Sequence, residues 1–211
     1  MIFPGLSGIG RLIEKGRKMR KGIALLLSVF CVCLIAQSAH GEVRWKLDLK
    51  PIKLDRISIK TGMKWNASWY MIYQVTNKGD ETVPLRLNIK AVSDVAGKTY
   101  LQGYYQRVEQ AIERKEGRNF LNIRDMRGEI APGETKEAVA IFGSIVESTD
   151  KLTVQVMGLW DRISHEGQKV FIEDRVLILN YYRPGDEYFP QYDKIIFKGA
   201  DWKVIFREEK K

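Results

Sequence analysis

A chain of 211 residues with 35 basic and 26 acidic side chains carries a formal charge of +9, but that charge is unevenly placed. Arg11, Lys15, Arg17, Lys18, Arg20 and Lys21 stand against Glu14 in the first 41 residues, leaving 29 basic and 25 acidic residues beyond them, a net +4 with the signs interspersed. This excludes the clustered basic footprint of a nucleic-acid binder, and the confinement of both cysteines, Cys31 and Cys33, to the same first segment excludes a disulfide framework in the remainder.

Gly22 to Ala36 is an apolar run of fifteen residues, preceded by four basic residues and followed by Gln37-Ser38-Ala39-His40-Gly41. Basic, apolar and then small residues form the layout of a secretory signal. The run is shorter than the roughly 20 residues a spanning helix wants. Cleavage after Gly41 is expected, with Glu42 as the mature start and an uncleaved membrane anchor as the alternative. Met19 is an alternative translation start, because Arg20-Lys21 before the apolar run makes a more ordinary signal. Phe30 precedes Cys31 and Val32 precedes Cys33, so neither cysteine has the small neighbour a lipid attachment site needs. The sequence divides into a leader, 1–41, and one domain, 42–211, large enough to manage on packing without disulfides.

In the domain, Trp45, Leu47 and Leu49 alternate with charged residues, which predicts a strand over 43–50. Pro51 removes a ladder donor, and the apolar pattern resumes at Ile52, Leu54, Ile57 and Ile59, so the spacing predicts an edge strand that bends or switches sheets. Residues 67–77 are apolar on both faces. Asn77-Lys78-Gly79-Asp80 has turn chemistry, and Leu85, Leu87, Ile89 and Ala91 then alternate with Arg86, Asn88 and Lys90, predicting a second strand over 83–92. A short strand near Thr99 to Tyr105 precedes a change of period. Val108, Ala111 and Ile112 fall at helical spacing within 106–116, with Gly117 placed to end the helix, whose narrow stripe predicts a seat on a sandwich edge and no core of its own.

A short strand is expected at Phe120 to Ile123, a turn at Ile130 to Thr135, and strands at 138–142, 152–156, 170–172 and 176–182. Ser164-His165-Glu166-Gly167 reads as an exposed turn. Ile195 to Phe197 and Trp202 to Phe206 read as a terminal hairpin, 194–207, folded across Lys198-Gly199-Ala200-Asp201. The expected fold is all-β, an immunoglobulin-like antiparallel β-sandwich with one inserted helix and a C-terminal hairpin extension.

The segment Tyr73 to Leu87 (YQVTNKGDETVPLRL) resembles the strand-turn-strand of bacterial immunoglobulin-like and fibronectin-like envelope domains. IAPGETKEAVAIF (Ile130 to Phe142), VMGLWD (Val156 to Asp161) and YRPGDEY (Tyr182 to Tyr188) resemble, in that order, a group of secreted bacterial proteins to which no activity is assigned. The resemblance implies a periplasmic or extracellular β-sandwich and brings no catalytic residue.

Metal and nucleophile chemistry have little to draw on, since His165 is the only histidine after position 41 and the sequence has no G-x-S-x-G, H-E-x-x-H or phosphate-loop motif. No catalytic residue, metal ligand or cofactor is assigned. Asp161, Glu173, Asp174, Asp186 and Glu187 could supply a hydrolase carboxylate pair, but sequence spacing does not establish their separation. Tyr104, Tyr105, Trp160, Tyr181, Tyr182, Tyr188, Phe189 and Tyr192 form an aromatic surplus, most of it expected in the core. Arg183-Pro184-Gly185-Asp186-Glu187 reads first as a turn. Arg183, Asp186, Glu187, Trp160 and Tyr188 are therefore the candidate binding residues of a non-catalytic envelope module with a protein or polysaccharide partner. Carbohydrate recognition is the alternative, and a membrane contact is expected only through an uncleaved leader.

Overall fold

The long strand β2 (Lys64–Asn77) divides its side chains between two apolar clusters, and this division sets the architecture. Trp69, Met71, Tyr73 and Val75 enter the main core, while Tyr70 and Ile72 on the opposite face join Val108, Ile112, Phe120, Val139 and Ile141 in a second cluster. Period-two alternation in a strand apolar on both faces requires a cover on each side. The computed structural model, which describes residues 42–166, 169–185 and 194–210, supplies both.

One cover is the sandwich partner. β1 (Glu42–Thr61), β2 and β7 (Thr135–Gly143) form one layer. The other contains β4 (Asn88–Ser93), β5 (Thr99–Leu101), β8 (Lys151–Met157), β9 (Trp160–Glu166), β10 (Lys169–Tyr182) and β11 (Ile196–Lys210). Every strand pair is antiparallel. Strand β1 links the layers, pairing β9 through Glu42–Lys46 and β2 through Leu47–Thr61. The expected bend at Pro51 is a bulge: Pro51 opposes Tyr73 and Lys53 opposes Ile72, leaving Ile52 unpaired and 41% exposed. All described residues fall within one compact unit, Gly41–Lys211.

The other cover is the helix α1 (Gln106–Glu116), closed as the sequence predicts by Gly117 at φ 71°, whose N–H donates to the Glu113 carbonyl at 2.8 Å. It lies on the outer face of β2 and β7 and completes the second cluster, so its stripe does help make a core, contrary to the edge position expected for it. The missing information was that β2 presents an apolar outer face to receive it.

Several other expectations need correction. The strand expected over 83–92 is two strands: β3 (Val83–Leu85) pairs only with β6 (Gly128–Ile130), and β4 pairs with β5 and β8. Between them the chain passes from the ribbon into the second layer, and Gly158 permits the crossing, since a Cβ there would lie 2.3 Å from the Arg86 carbonyl oxygen. Phe120 to Ile123 is not a strand but a loop segment with one bridge, Leu121 to Ala138. Ser164 to Glu166, expected in a turn, instead end β9, with His165 opposite Val170. The turn expected at Lys198 to Asp201 is absent, because β11 runs through it and pairs with β10 from Tyr182 back to Val170. The terminal hairpin therefore exists, but its first arm is β10. Among the described residues no helix is long and apolar enough to cross a membrane.

Candidate functional site

A cleft of about 640 Å³ opens where the β3–β6 ribbon, the Arg86-Leu87 crossing and the loop after α1 meet. Its construction starts at Asn77, which is 2% exposed and donates from Nδ2 to the carbonyls of Glu81 at 2.7 Å and Ile130 at 3.0 Å. The same side chain accepts from the Gly79 N–H at 2.9 Å, so one buried amide fixes both the turn after β2 and the ribbon. The opposite wall is held by Asn122, whose Oδ1 accepts from the Arg124 N–H at 2.8 Å and whose Nδ2 donates to Glu109 of α1 at 2.9 Å. Arg124 also lies over the Tyr104 ring at 3.9 Å.

Inside the cleft Tyr73, Leu87, Ile123 and Met126 supply apolar surface, and Arg86, Arg127 and Glu129 supply charge. Neither arginine side chain has a carboxylate partner among the described residues. Gln102 Nε2 donates to the Leu87 carbonyl at 3.4 Å, whereas its Oε1 is buried with no hydrogen-bond partner among the described residues. Reversing the amide would set two acceptors against each other. An acceptor buried without a donor costs roughly 1 to 3 kcal/mol, and a ligand N–H or O–H would recover it. Burial raises the Tyr73 phenol well above its ordinary value, so it remains a protonated donor. Apolar walls, two cations without a carboxylate partner among the described residues, and an acceptor without a donor among them can bind a ligand.

The residues singled out in the sequence fall elsewhere. Asp186, Glu187 and Tyr188 lie outside the described residues, as do Phe189 and Tyr192. Arg183 is 2% exposed; its Nη2 donates to the Glu147 carbonyl, and its backbone N–H donates to the Asp150 carbonyl at 2.8 Å. Its guanidinium is thereby turned into the protein, clamping the loop before β8.

Trp160 lies between two cations, with Lys46 5.3 Å and Arg175 4.7 Å from its ring centroid. Trp202 packs against it at 6.0 Å and 54°. Arg175 is in turn held by Glu173 at 2.6 Å, and Asp161 and Asp174 oppose each other across β9 and β10. Burial, followed by the Asp161 charge, raises the Asp174 carboxyl despite a backbone hydrogen bond from Arg175. Among the described residues no group of three or more His, Cys, Asp and Glu side chains is placed to hold a metal ion.

Sequence reasoning missed Gln102 and Arg127 and took Arg86 only as the solvent face of a strand. Local periodicity gave no signal that these three positions share a cavity, because segments far apart in sequence build it. No family model matches this chain, nor does any curated protein or solved structure.

Proposed function

We propose that this chain is a non-catalytic binding module of the bacterial cell envelope and that the cleft beside the β3–β6 ribbon is its ligand seat. The observation that carries this reading is the buried Gln102 Oε1, without a hydrogen-bond partner among the described residues, in a cavity of about 640 Å³ that also holds Arg86 and Arg127. Such a site favours an acid-bearing partner with an adjacent hydrogen-bond donor and an apolar portion, the composition of a polypeptide segment. The basic, apolar and small-residue succession before Glu42 supports export.

Carbohydrate recognition is the second reading, resting on Trp160 and Trp202. Two features weaken it: the rings are tilted by 54°, and the Trp160 indole N–H is buried without an acceptor among the described residues. A sugar platform presents a ring face to solvent, whereas two cations already occupy the surroundings of Trp160.

The test is affinity capture from envelope extract with the protein purified from expressing cells, compared with Ile123→Trp, which fills the cleft from its loop wall. Capture lost in the variant at unchanged melting temperature is expected. Capture insensitive to Ile123→Trp, but lost in Trp202→Ala, would move the function to the aromatic pair. Amino-terminal sequencing of the same preparation should begin at or near Glu42, and a product retaining Cys31 and Cys33 would show an anchor instead.

A further inference from the structure

Strand β2 pairs with β7 only from Trp69 onward, while its pairing with β1 continues to Lys64 opposite Thr61. Residues 58–68 therefore form a two-stranded ribbon that outruns the sheet. Its tip carries the most exposed large apolar side chains among the described residues, Met63 at 99% and Trp65 at 69%. Placed two residues apart on one projecting tip, they form a joined apolar patch, which marks an interaction site where single exposed side chains would not. Lys60 and Lys64 flank the tip and are exposed, with no acidic residue between them. At its base, Lys60 lines a depression with Ile59 of β1 and Arg107 and Arg114 of α1, and no carboxylate lines that depression. The groove beside Trp65 is lined by one basic and one acidic residue, Arg56 and Glu147, so the excess of positive charge lies in the depression against the helix.

We propose that the β1–β2 tip docks on an anionic lipid surface, with Met63 and Trp65 entering the interface and Lys60, Lys64, Arg107 and Arg114 meeting the headgroups. Tryptophan suits the interfacial zone because its ring is largely apolar and its N–H remains polar. Methionine is flexible enough to fit among acyl chains. Two side chains insert weakly by themselves, so the basic residues must contribute, and lipid attraction to juxtamembrane Lys and Arg falls off within a Debye length. This contact is independent of the cleft and of any membrane attachment through residues 1–41.

The test uses sedimentation with vesicles of phosphatidylcholine alone and of phosphatidylcholine with about one-third phosphatidylglycerol. Binding at least about tenfold tighter to the anionic vesicles, weakened by added salt, is expected. Met63→Ser/Trp65→Ser should lose at least about tenfold, and Lys60→Gln/Lys64→Gln should flatten the salt dependence. Quenching of tryptophan fluorescence by acyl-chain-brominated lipid should fall in Trp65→Phe, a signal that a merely structural role would not move. Glycerol phosphate at millimolar concentration should not compete, since a surface and not an isolated phosphate is bound. Equal binding by the double serine variant would assign attachment to another segment and overturn the proposal, as would binding to neither vesicle or equal binding to both.

Discussion

The Tyr70 hydroxyl donates to Glu116 at 2.9 Å, joining the outer face of β2 to the last turn of α1. Lys53 spans the same carboxylate at 2.8 Å and Asp55 at 2.9 Å, and Lys115 reaches Asp55 at 2.9 Å, so the helix end is tied to both β1 and β2. Tyr70→Phe keeps the ring in the second apolar cluster and removes only the hydroxyl. The hydroxyl also reaches Asp55 at 3.3 Å, so the loss should be about 1.5 to 3 kcal/mol, the scale of a hydrogen bond to a charged group. Urea midpoints measure this directly, and an unchanged midpoint would mean that the latch does not hold the helix.

The same cluster sets an acid limit. Burial acts to raise the Asp55 carboxyl, but hydrogen bonds from Lys115 and Lys53 outweigh it and leave it below its ordinary range. In Glu116, Lys53 and Tyr70 likewise overcome burial. Both groups bind protons less readily folded than unfolded. Their contribution is therefore present above the unfolded carboxylate values of about 4 and is lost as pH falls through the lower, folded values. Asp55→Asn/Glu116→Gln should show a smaller drop in stability between about pH 6 and about pH 3 than the parent chain.

Much of the β architecture was legible in the sequence, because strands such as β8 and a helix such as α1 record their burial in their own periodicity. Leu152, Val154 and Val156 announce an inward face without reference to any partner. The site was not legible in this way. Asn77 and Asn122 build the walls of the cleft through bonds to segments 4 to 53 residues away, and the buried acceptor of Gln102 becomes informative only when its surroundings are known. The terminal hairpin was misread for a related reason: Gly199 has the composition of a turn, yet at φ 141° it lies within β11, next to an irregularity against Asn180 and Tyr181.

Leu85 and Leu87 share one alternation in the sequence but not one environment. Leu85 is fully buried, whereas Leu87 is half-buried and lines the cleft. Leu85→Ala should cost about 2 to 5 kcal/mol and Leu87→Ala roughly 1 kcal/mol, the scale of a partly buried leucine. Only Leu87→Ala should alter capture by the folded protein. Equal urea midpoints would contradict this separation of core from site.

Arg183 should behave as a structural residue. Arg183→Ala strands the carbonyl of Glu147 and empties a buried position before β8, with an expected loss of about 1.5 to 3 kcal/mol for a hydrogen bond from a charged group. Partner capture per folded molecule should remain unchanged. Retained melting with lost capture would instead return Arg183 to the binding surface.

Gly158 couples the fold to the cleft. It has φ +87°, and a Cβ added there would meet the Arg86 carbonyl oxygen at 2.3 Å, too close for a backbone atom to yield cheaply. Gly158→Ala should therefore combine about 1 to 3 kcal/mol of left-handed backbone strain with about 1 to 3 kcal/mol of overpacking. Gly133, at φ +73° with nothing within 4 Å of its virtual Cβ, isolates the first effect. Gly133→Ala should destabilise by the strain alone, so its urea midpoint should stay well above that of Gly158→Ala. Where the clash is relieved by the crossing, it displaces Arg86 and Leu87, both of which line the cleft, so the fraction of Gly158→Ala that still folds should also capture partner less well. Matching midpoints for the two alanine variants would show that the crossing tolerates a side chain and that Gly158 does not position the cleft wall.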